Sequence, residues 1–353
     1  MPVIDPQFAY MNARVRSLKS LLFTRARLEE FLHQNDLAKM IDALLDSPYH
    51  EQMAEALSHN QGADAVEEAV TRNLVATARL LTVRAAGRPR EFLDLFLRRW
   101  DLNSVKSLLR VRHQGLDLDE ALGALAPGAH MPPGVQRRLA QCETVEALCG
   151  QLIVWDSELC GGLSAALPAY SATRDLALLD EALDRHYFVR GAARLKDAED
   201  QDSRLLHFFF QLEIDRINLR LIFERLREPA PVPASMDRLL PEGTLAPALL
   251  RRLIEADDAA QAAEMLGGTR YRDFLEELYQ FMQTHRFSPV ERLFEQALLR
   301  ELRRLAVRDP LGLAVAMDYS WRKYNEGINL RLIARGLAGH LPSGRVREEL
   351  VFV

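Results

Sequence analysis

The sequence predicts an all-α protein assembled from repeated helical units. Composition is the first sign. Of 353 residues, 60 are Leu and 40 are Arg, against 18 Gly and 16 Pro. Leu, Ala, Arg and Glu in bulk, with little Val, Ile or Thr, favour helices over sheets. The second sign is periodicity, since apolar residues recur at steps of three and four nearly everywhere. The third is internal repetition at a spacing near 111 residues. The length allows two or three domains and a large buried core.

In chain order, Phe8, Met11, Val15, Leu18 and Leu22 line one helix face, with Arg14, Arg16 and Lys19 largely off it. A second helical pattern covers about 26–45 and stops at Ser47-Pro48, a third begins near Gln52, and a fourth runs from about 63 to 84. Gly87-Arg88-Pro89 reads as a turn, after which Phe92, Leu95, Phe96 and Leu97 lead to a helix over about 99–113. The stretch Gly115–Gly134 holds Pro127, Gly128, Pro132 and Pro133 and reads as a linker. So does Pro229-Ala-Pro-Val-Pro233, with Pro241 and Gly243 behind it. These breaks divide the chain into 1–120, 121–230 and 231–353.

The three pieces carry matching markers. Ile217-Asn218-Leu219-Arg220-Leu221-Ile222 returns unchanged as Ile328-Asn329-Leu330-Arg331-Leu332-Ile333, and Asp101-Leu-Asn-Ser104-Val105-Lys-Ser-Leu108-Leu109-Arg110 is a looser first copy. In register, Asp101, Asp215 and Glu326 share one column, and Ser104, Asn218 and Asn329 another. Val66-Glu-Glu-Ala69-Val70 lines up with Leu179-Asp-Glu-Ala182-Leu183 and Phe294-Glu-Gln-Ala297-Leu298. A last marker, ending in Tyr49 and Tyr271, joins only the outer copies. In each signature helix the acid and the small polar residue stand three apart, hence on one face. Two readings fit them: fasteners between neighbouring helices, or groups that converge with the arginines on a partner.

Chemistry is sparsely signalled. No Gly-x-x-x-x-Gly-Lys-Ser/Thr loop, His-Glu-x-x-His or Gly-x-Ser-x-Gly motif is present. The cysteines at 142, 149 and 160 fit no zinc spacing and read as reduced, semi-buried small hydrophobes. With 50 acidic residues, carboxylate spacing carries no catalytic information. A net charge of −5 gives no general attraction to nucleic acid or anionic lipid. Arg300-Glu-Leu-Arg303-Arg304 reads as a solvated helix face, Phe208-Phe209-Phe210 as core, and His186 as an interface or core-edge residue. No apolar run is long enough to cross a membrane, and the N-terminus has no secretory signal pattern.

The opening Phe8-Ala9-Tyr10-Met11-Asn12-Ala13-Arg14-Val15-Arg16 resembles the start of the C subunit of bacterial and archaeal V/A-type ATPases, the counterpart of the d subunit of the eukaryotic vacuolar ATPase. The likeness continues at Asp101–Arg112 and Glu213–Arg225. It is clearest at Asp309-Pro310-Leu311-Gly312, at Asn329-Leu-Arg-Leu-Ile-Ala-Arg-Gly336 and at Arg347-Glu348-Glu349-Leu350. The resemblance implies three similar helical domains in a pseudo-threefold funnel. It implies a non-catalytic central-rotor subunit, peripheral on the cytoplasmic face of the membrane. Its partners would be the D and F shaft subunits and the proteolipid ring, with lipid headgroups as a further contact. Torque would pass through it for proton or sodium ion transport, with no cofactor, metal, nucleic acid or small-molecule substrate. The candidate interface or inter-helix residues are Arg14, Arg16, Asp101, Arg110, Asp215, Asn218, Arg220, Glu326, Asn329, Arg331 and Arg335. Copy one departs from the pattern with Ser104 for Asn, and Arg110 and Arg335 fill the column of Glu224. Competing readings are a helical-repeat adaptor for a soluble partner and, third, an all-helical enzyme.

Overall fold

The computed structural model describes residues 6–117, 131–227, 232–272 and 288–352, which are helical with no strand among them. Pro127, Gly128, His130, Pro229 and His285 lie outside the described residues. The chain divides into two compact units, Met1–Asp180 with Leu299–Val353, and Glu181–Leu298.

The first unit opens with α1 (Pro6–Lys19), α2 (Arg25–Gln34), α3 (Leu37–Leu45), α4 (His50–Ala56), α5 (Gly62–Arg84) and α6 (Gly87–His113). It continues through α7 (Pro133–Ala140), α8 (Val145–Trp155), α9 (Ser157–Cys160), α10 (Leu163–Thr173) and α11 (Ala177–Asp184), which runs on into the second unit. The second unit holds a π-helical turn at Arg185–Val189, then α12 (Arg190–Leu195), α13 (Gln201–Arg227), α14 (Val232–Arg238), α15 (Pro247–Ile254) and α16 (Ala259–Leu266). α17 (Ser288–Arg308) leads back to the first unit, which ends with α18 (Ala314–Ala338) and α19 (Ser343–Glu349). The three signature segments sit in α6, α13 and α18, of 27, 27 and 25 residues.

Two helix boundaries differ from the sequence reading. The single pattern over 26–45 is two helices, because Asn35 adopts a left-handed conformation (φ 46°) and ends α2. Asp36 then caps α3, accepting from the N–H of Ala38 at 2.9 Å and of Lys39 at 3.3 Å. Conversely, Gly87-Arg88-Pro89 is no turn but the first three residues of α6. The break lies just before it, at extended Ala85 and Ala86. Gly87 has a positive φ of 56°, and Pro89 falls in the first turn, where a helix needs no donor from it.

Each unit has a core built on a signature helix. In the first, Leu330, Ile333, Ala334 and Leu337 of α18 pack with Phe31, Met40, Leu44, Met53, Ala65, Ala69 and Val70 of the N-terminal helices. In the second, Leu219, Ile222 and Phe223 of α13 pack with Leu250, Leu253, Ile254, Ala263, Leu266, Tyr271 and Phe294. Five of the six positions of the repeated hexapeptide are buried alike in both: the Asn, the first Leu and the last Ile are buried and the first Ile and second Leu half-buried, while the Arg is exposed at 220 and half-buried at 331. α13 is therefore completed by the chain that follows it. α18 is completed instead by the N-terminal block 28–70, with Val346 and Leu350.

The first unit also joins α6 to α18 and fastens α1 across α18. Trp321 of α18 is fully buried, with Phe96 and Trp100 at centroid distances of 5.8 and 6.3 Å. The guanidinium of buried Arg99 lies 4.3 Å from the Trp321 ring. Asn12 of α1 donates to the carbonyl of Gly312 at 3.0 Å, and Arg16 to the carbonyl of Pro310. Lys19 pairs with the fully buried Asp318, which also accepts from Arg322 Nε at 2.8 Å. The opening segment and Asp309-Pro310-Leu311-Gly312, far apart in sequence, are thus direct neighbours.

Candidate functional site

The columns of acids and small polar residues form the most elaborate polar sites among the described residues. In the second unit Asp215 is fully buried. It accepts from the Leu245 N–H at 3.1 Å, from the Tyr271 hydroxyl at 2.8 Å and from the Thr244 hydroxyl. One turn on, Asn218 donates through Nδ2 to the Leu240 carbonyl at 2.8 Å and accepts from the Leu240 N–H at 2.7 Å. A Cβ on Gly243 would collide with Asp215 Oδ1, so this supposed linker is a cradle fitted to the carboxylate.

The first unit repeats the arrangement on α18. Glu326 accepts from the Tyr49 hydroxyl at 2.7 Å and from the Phe23 N–H, and Asn329 exchanges the same pair of bonds with Val351 at 2.8 and 3.0 Å. The tyrosines are presented identically. Ser47 Oγ donates to Leu44 O at 2.6 Å and accepts from Tyr49 N at 3.1 Å, while Thr269 Oγ1 donates to Leu266 O at 2.7 Å and accepts from Tyr271 N at 3.1 Å. Glu326 has one addition, the buried Lys323, whose ammonium lies 2.8 Å from its carboxylate and 4.0 Å from the centroid of the Tyr49 ring. In the first copy Asp101 is buried and Ser104 donates to Trp100 O at 3.1 Å. Burial, then Asp156, Cys149 and Asp101, push the Cys160 thiol up.

Burial sets the electrostatics of these sites. It raises Asp215 against the pull of its three donors, and lowers the Lys323 ammonium against the attraction of Glu326. Burial and the Asp215 charge hold Tyr271 far above the usual phenol range, and burial with Glu326 does the same for Tyr49. The folded chain keeps the Tyr271 proton at a pH where an unfolded chain, with the ordinary value of 10.0, has released it. Stability therefore falls as pH rises past that value, by about 1.4 kcal/mol per unit for each such tyrosine. Tyr271→Phe should remove one tyrosine's share of the loss, read as a shallower decline in urea unfolding free energy above about pH 10. An unchanged slope would show that Tyr271 ionises normally in the fold.

The arginines behave differently. Arg110 reaches Asp180 at 3.5 Å. Arg220 pairs with Glu224 at 2.8 Å and Glu291 at 3.1 Å, and Arg335 pairs with Glu67. Arg331 is half-buried and donates to Thr71 at 2.9 Å. Arg14 is exposed and forms no hydrogen bond or ion pair with any described residue. Asp215 with Asn218, and Glu326 with Asn329, are brought together inside their units and engaged there.

Tyr49, Tyr271, Phe23, Leu245 and Lys323 complete these sites and were not among the sequence candidates. A signal existed. Phe23 and Leu245 are separated by the same distance along the chain as Tyr49 and Tyr271, twice the repeat spacing.

The three cysteines are buried and free. His186 is half-buried and 3.4 Å from Arg190 Nη1, while Phe209 and Phe210 are core residues. Among the described residues no group of three or more His, Cys, Asp or Glu is placed to hold a metal ion, and no helix is long and apolar enough to cross a membrane.

Residues 11–349 match the family described as the ATP synthase (C/AC39) subunit. The chain belongs to that family. The A-type ATP synthase C subunit of Methanothermobacter thermautotrophicus is 28% identical over 99% of this chain and 89% of its own length. The V-type ATP synthase C subunit of Thermus thermophilus is 29% identical, over 98% of both chains. That of Methanocaldococcus jannaschii, of the A-type, is 25% identical over 99% of this chain and 88% of its own. For the family member described here, the match takes in Asn12, Arg16 and Lys19 of the α1 strap and the α18 acid site, and ends two residues before Val351.

Proposed function

We propose that the chain is a non-catalytic central-rotor subunit of an A/V-type ATP synthase, coupling the D and F shaft subunits to the membrane proteolipid ring during proton or sodium ion transport. In this reading its three helical units, marked by the repeats over 1–120, 121–230 and 231–353, surround a pseudo-threefold axis as a funnel. It sits peripherally on the cytoplasmic face of the membrane, with lipid headgroups as a minor contact. The observation that carries the reading is the family match over nearly the whole chain.

The internal sites add physical support. A torque coupler must transmit load without its helices sliding, and Asp215, Asn218, Glu326 and Asn329 fix long helices in register through buried bonds to distant backbone. Helix dipoles and apolar packing alone specify register less sharply than directional bonds in a low-dielectric interior. Of the eleven candidates, Arg14 is the one free among the described residues to serve a partner directly.

The test is purification of tagged chain from membranes opened with mild detergent, with the accompanying proteins identified by mass spectrometry. Recovery of ring, shaft and head subunits in fixed ratio is the expected result. Recovery from the soluble fraction without any ATP synthase subunit would sink the reading and leave the adaptor in its place.

A further inference from the structure

α17 ends in a stripe of exposed arginines that the described residues leave largely unanswered. Arg300, Arg303, Arg304, Val307 and Arg308 are all exposed. Their steps of three, four, seven and eight place them on one helix face. Leu299 and Leu302, on the opposite side, are buried, so the stripe is the outer face of an anchored helix. Among the described residues only Arg304 of the four arginines has a partner, Glu301 at 2.9 Å. Arg300, Arg303 and Arg308 form no ion pair or hydrogen bond with any described residue, whereas Arg220, Arg238 and Arg335 all find carboxylates.

The geometry points to α17 as a docking surface for an acidic helical face on another subunit of the complex. This rests on the family reading above. The chain as a whole carries −5, so four guanidiniums on one two-turn stripe are a local reversal of its charge. At 1.5 Å per residue the stripe from Arg300 to Arg308 is about 12 Å long, matching carboxylates spaced three and four apart on a facing helix. Arginine suits that partner, because its planar fork binds a carboxylate through two parallel bonds. Val307, 76% exposed between the arginines, gives the contact a small apolar centre. A lipid surface fits less well: the face offers this one valine for burial, and the net acidic chain is repelled from an anionic bilayer.

The experiment compares tagged wild type, R300E/R303E and R303K in detergent-solubilised membranes. The expected result is at least a tenfold loss of co-purifying ATP synthase subunits for R300E/R303E, with an unchanged melting curve. The R303K variant, treated in the assembled complex with a zero-length amine-to-carboxyl cross-linker, should join residue 303 to an Asp or Glu of another subunit. Because R303K keeps its charge, it reports on the contact even if the double reversal disturbs folding. Full retention of the subunits by R300E/R303E, or no cross-link from an assembled R303K chain, overturns the proposal. So does loss of flotation with phosphatidylglycerol vesicles without loss of the subunits, which would assign the stripe to lipid. If wild type itself brings down no ATP synthase subunit, the family-level function fails and this docking surface fails with it.

Discussion

Glu326→Leu is expected to lower the free energy of unfolding by about 3–5 kcal/mol, because it leaves the Lys323 ammonium buried without its counter-charge. Tyr49 would lose its acceptor and the Phe23 N–H its bond in the same step. Lys323→Met alone should cost less, since Glu326 with Tyr49 and Phe23 still bonded resembles the Asp215 site, which works without a lysine. Combining the two should restore only the part of the loss that the stranded ammonium causes, because the Tyr49 hydroxyl and the Phe23 N–H still lack their acceptor. Denaturant unfolding of the four proteins, read as a double-mutant cycle, isolates the coupling. Costs for Glu326→Leu below about 1 kcal/mol would mean that water or another group already serves the lysine.

Trp321→Ala should be as damaging, at about 3–5 kcal/mol, for a different reason. Its ring fills the contact between α6 and α18, edged by Phe96 and Trp100, and carries the Arg99 guanidinium on its face. Truncation opens a void and strips a buried cation of its π partner, a contribution of up to about 2 kcal/mol when desolvated. Trp321→Phe keeps an aromatic face and should cost less than half as much in the same unfolding assay. If alanine and phenylalanine prove equivalent, neither packing volume nor the cation contact at this ring holds the two helices together.

The helical class and the signature segments were legible in the sequence because both depend on local pattern. The identical hexapeptide could be seen to share a face, and five of its six positions share their burial in the structure. What that face binds could not be seen, because the partners lie at distances periodicity does not encode: Glu326 meets Phe23 and Tyr49 across nearly the full chain. The Pro241–Gly243 stretch read as a break because Pro and Gly punctuate loops. Here they shape the backbone against Asp215, a tertiary role that composition alone does not distinguish. The single helix expected over 26–45 failed on one residue, since the preference of Asn35 for a left-handed turn outweighs the apolar rhythm on either side. Lys323 escaped notice for a simpler reason, as its lone position in a long helix looks like any solvent-facing lysine until its neighbours are known.

The pairing of the first helices with the last has a consequence for how the protein is made. On the ribosome, the face formed by Met40, Leu44, Met53, Ala69 and Val70 emerges early, but Leu330 and Ile333, which cover it, come some 260 residues later. At about 5–20 residues per second that interval is roughly 12–50 s. The second unit, whose core lies in one continuous stretch, can close during that wait. The first unit is thus begun before the second and finished after it. A nascent chain carries this apolar face uncovered until the helix that bears Leu330 and Ile333 is released.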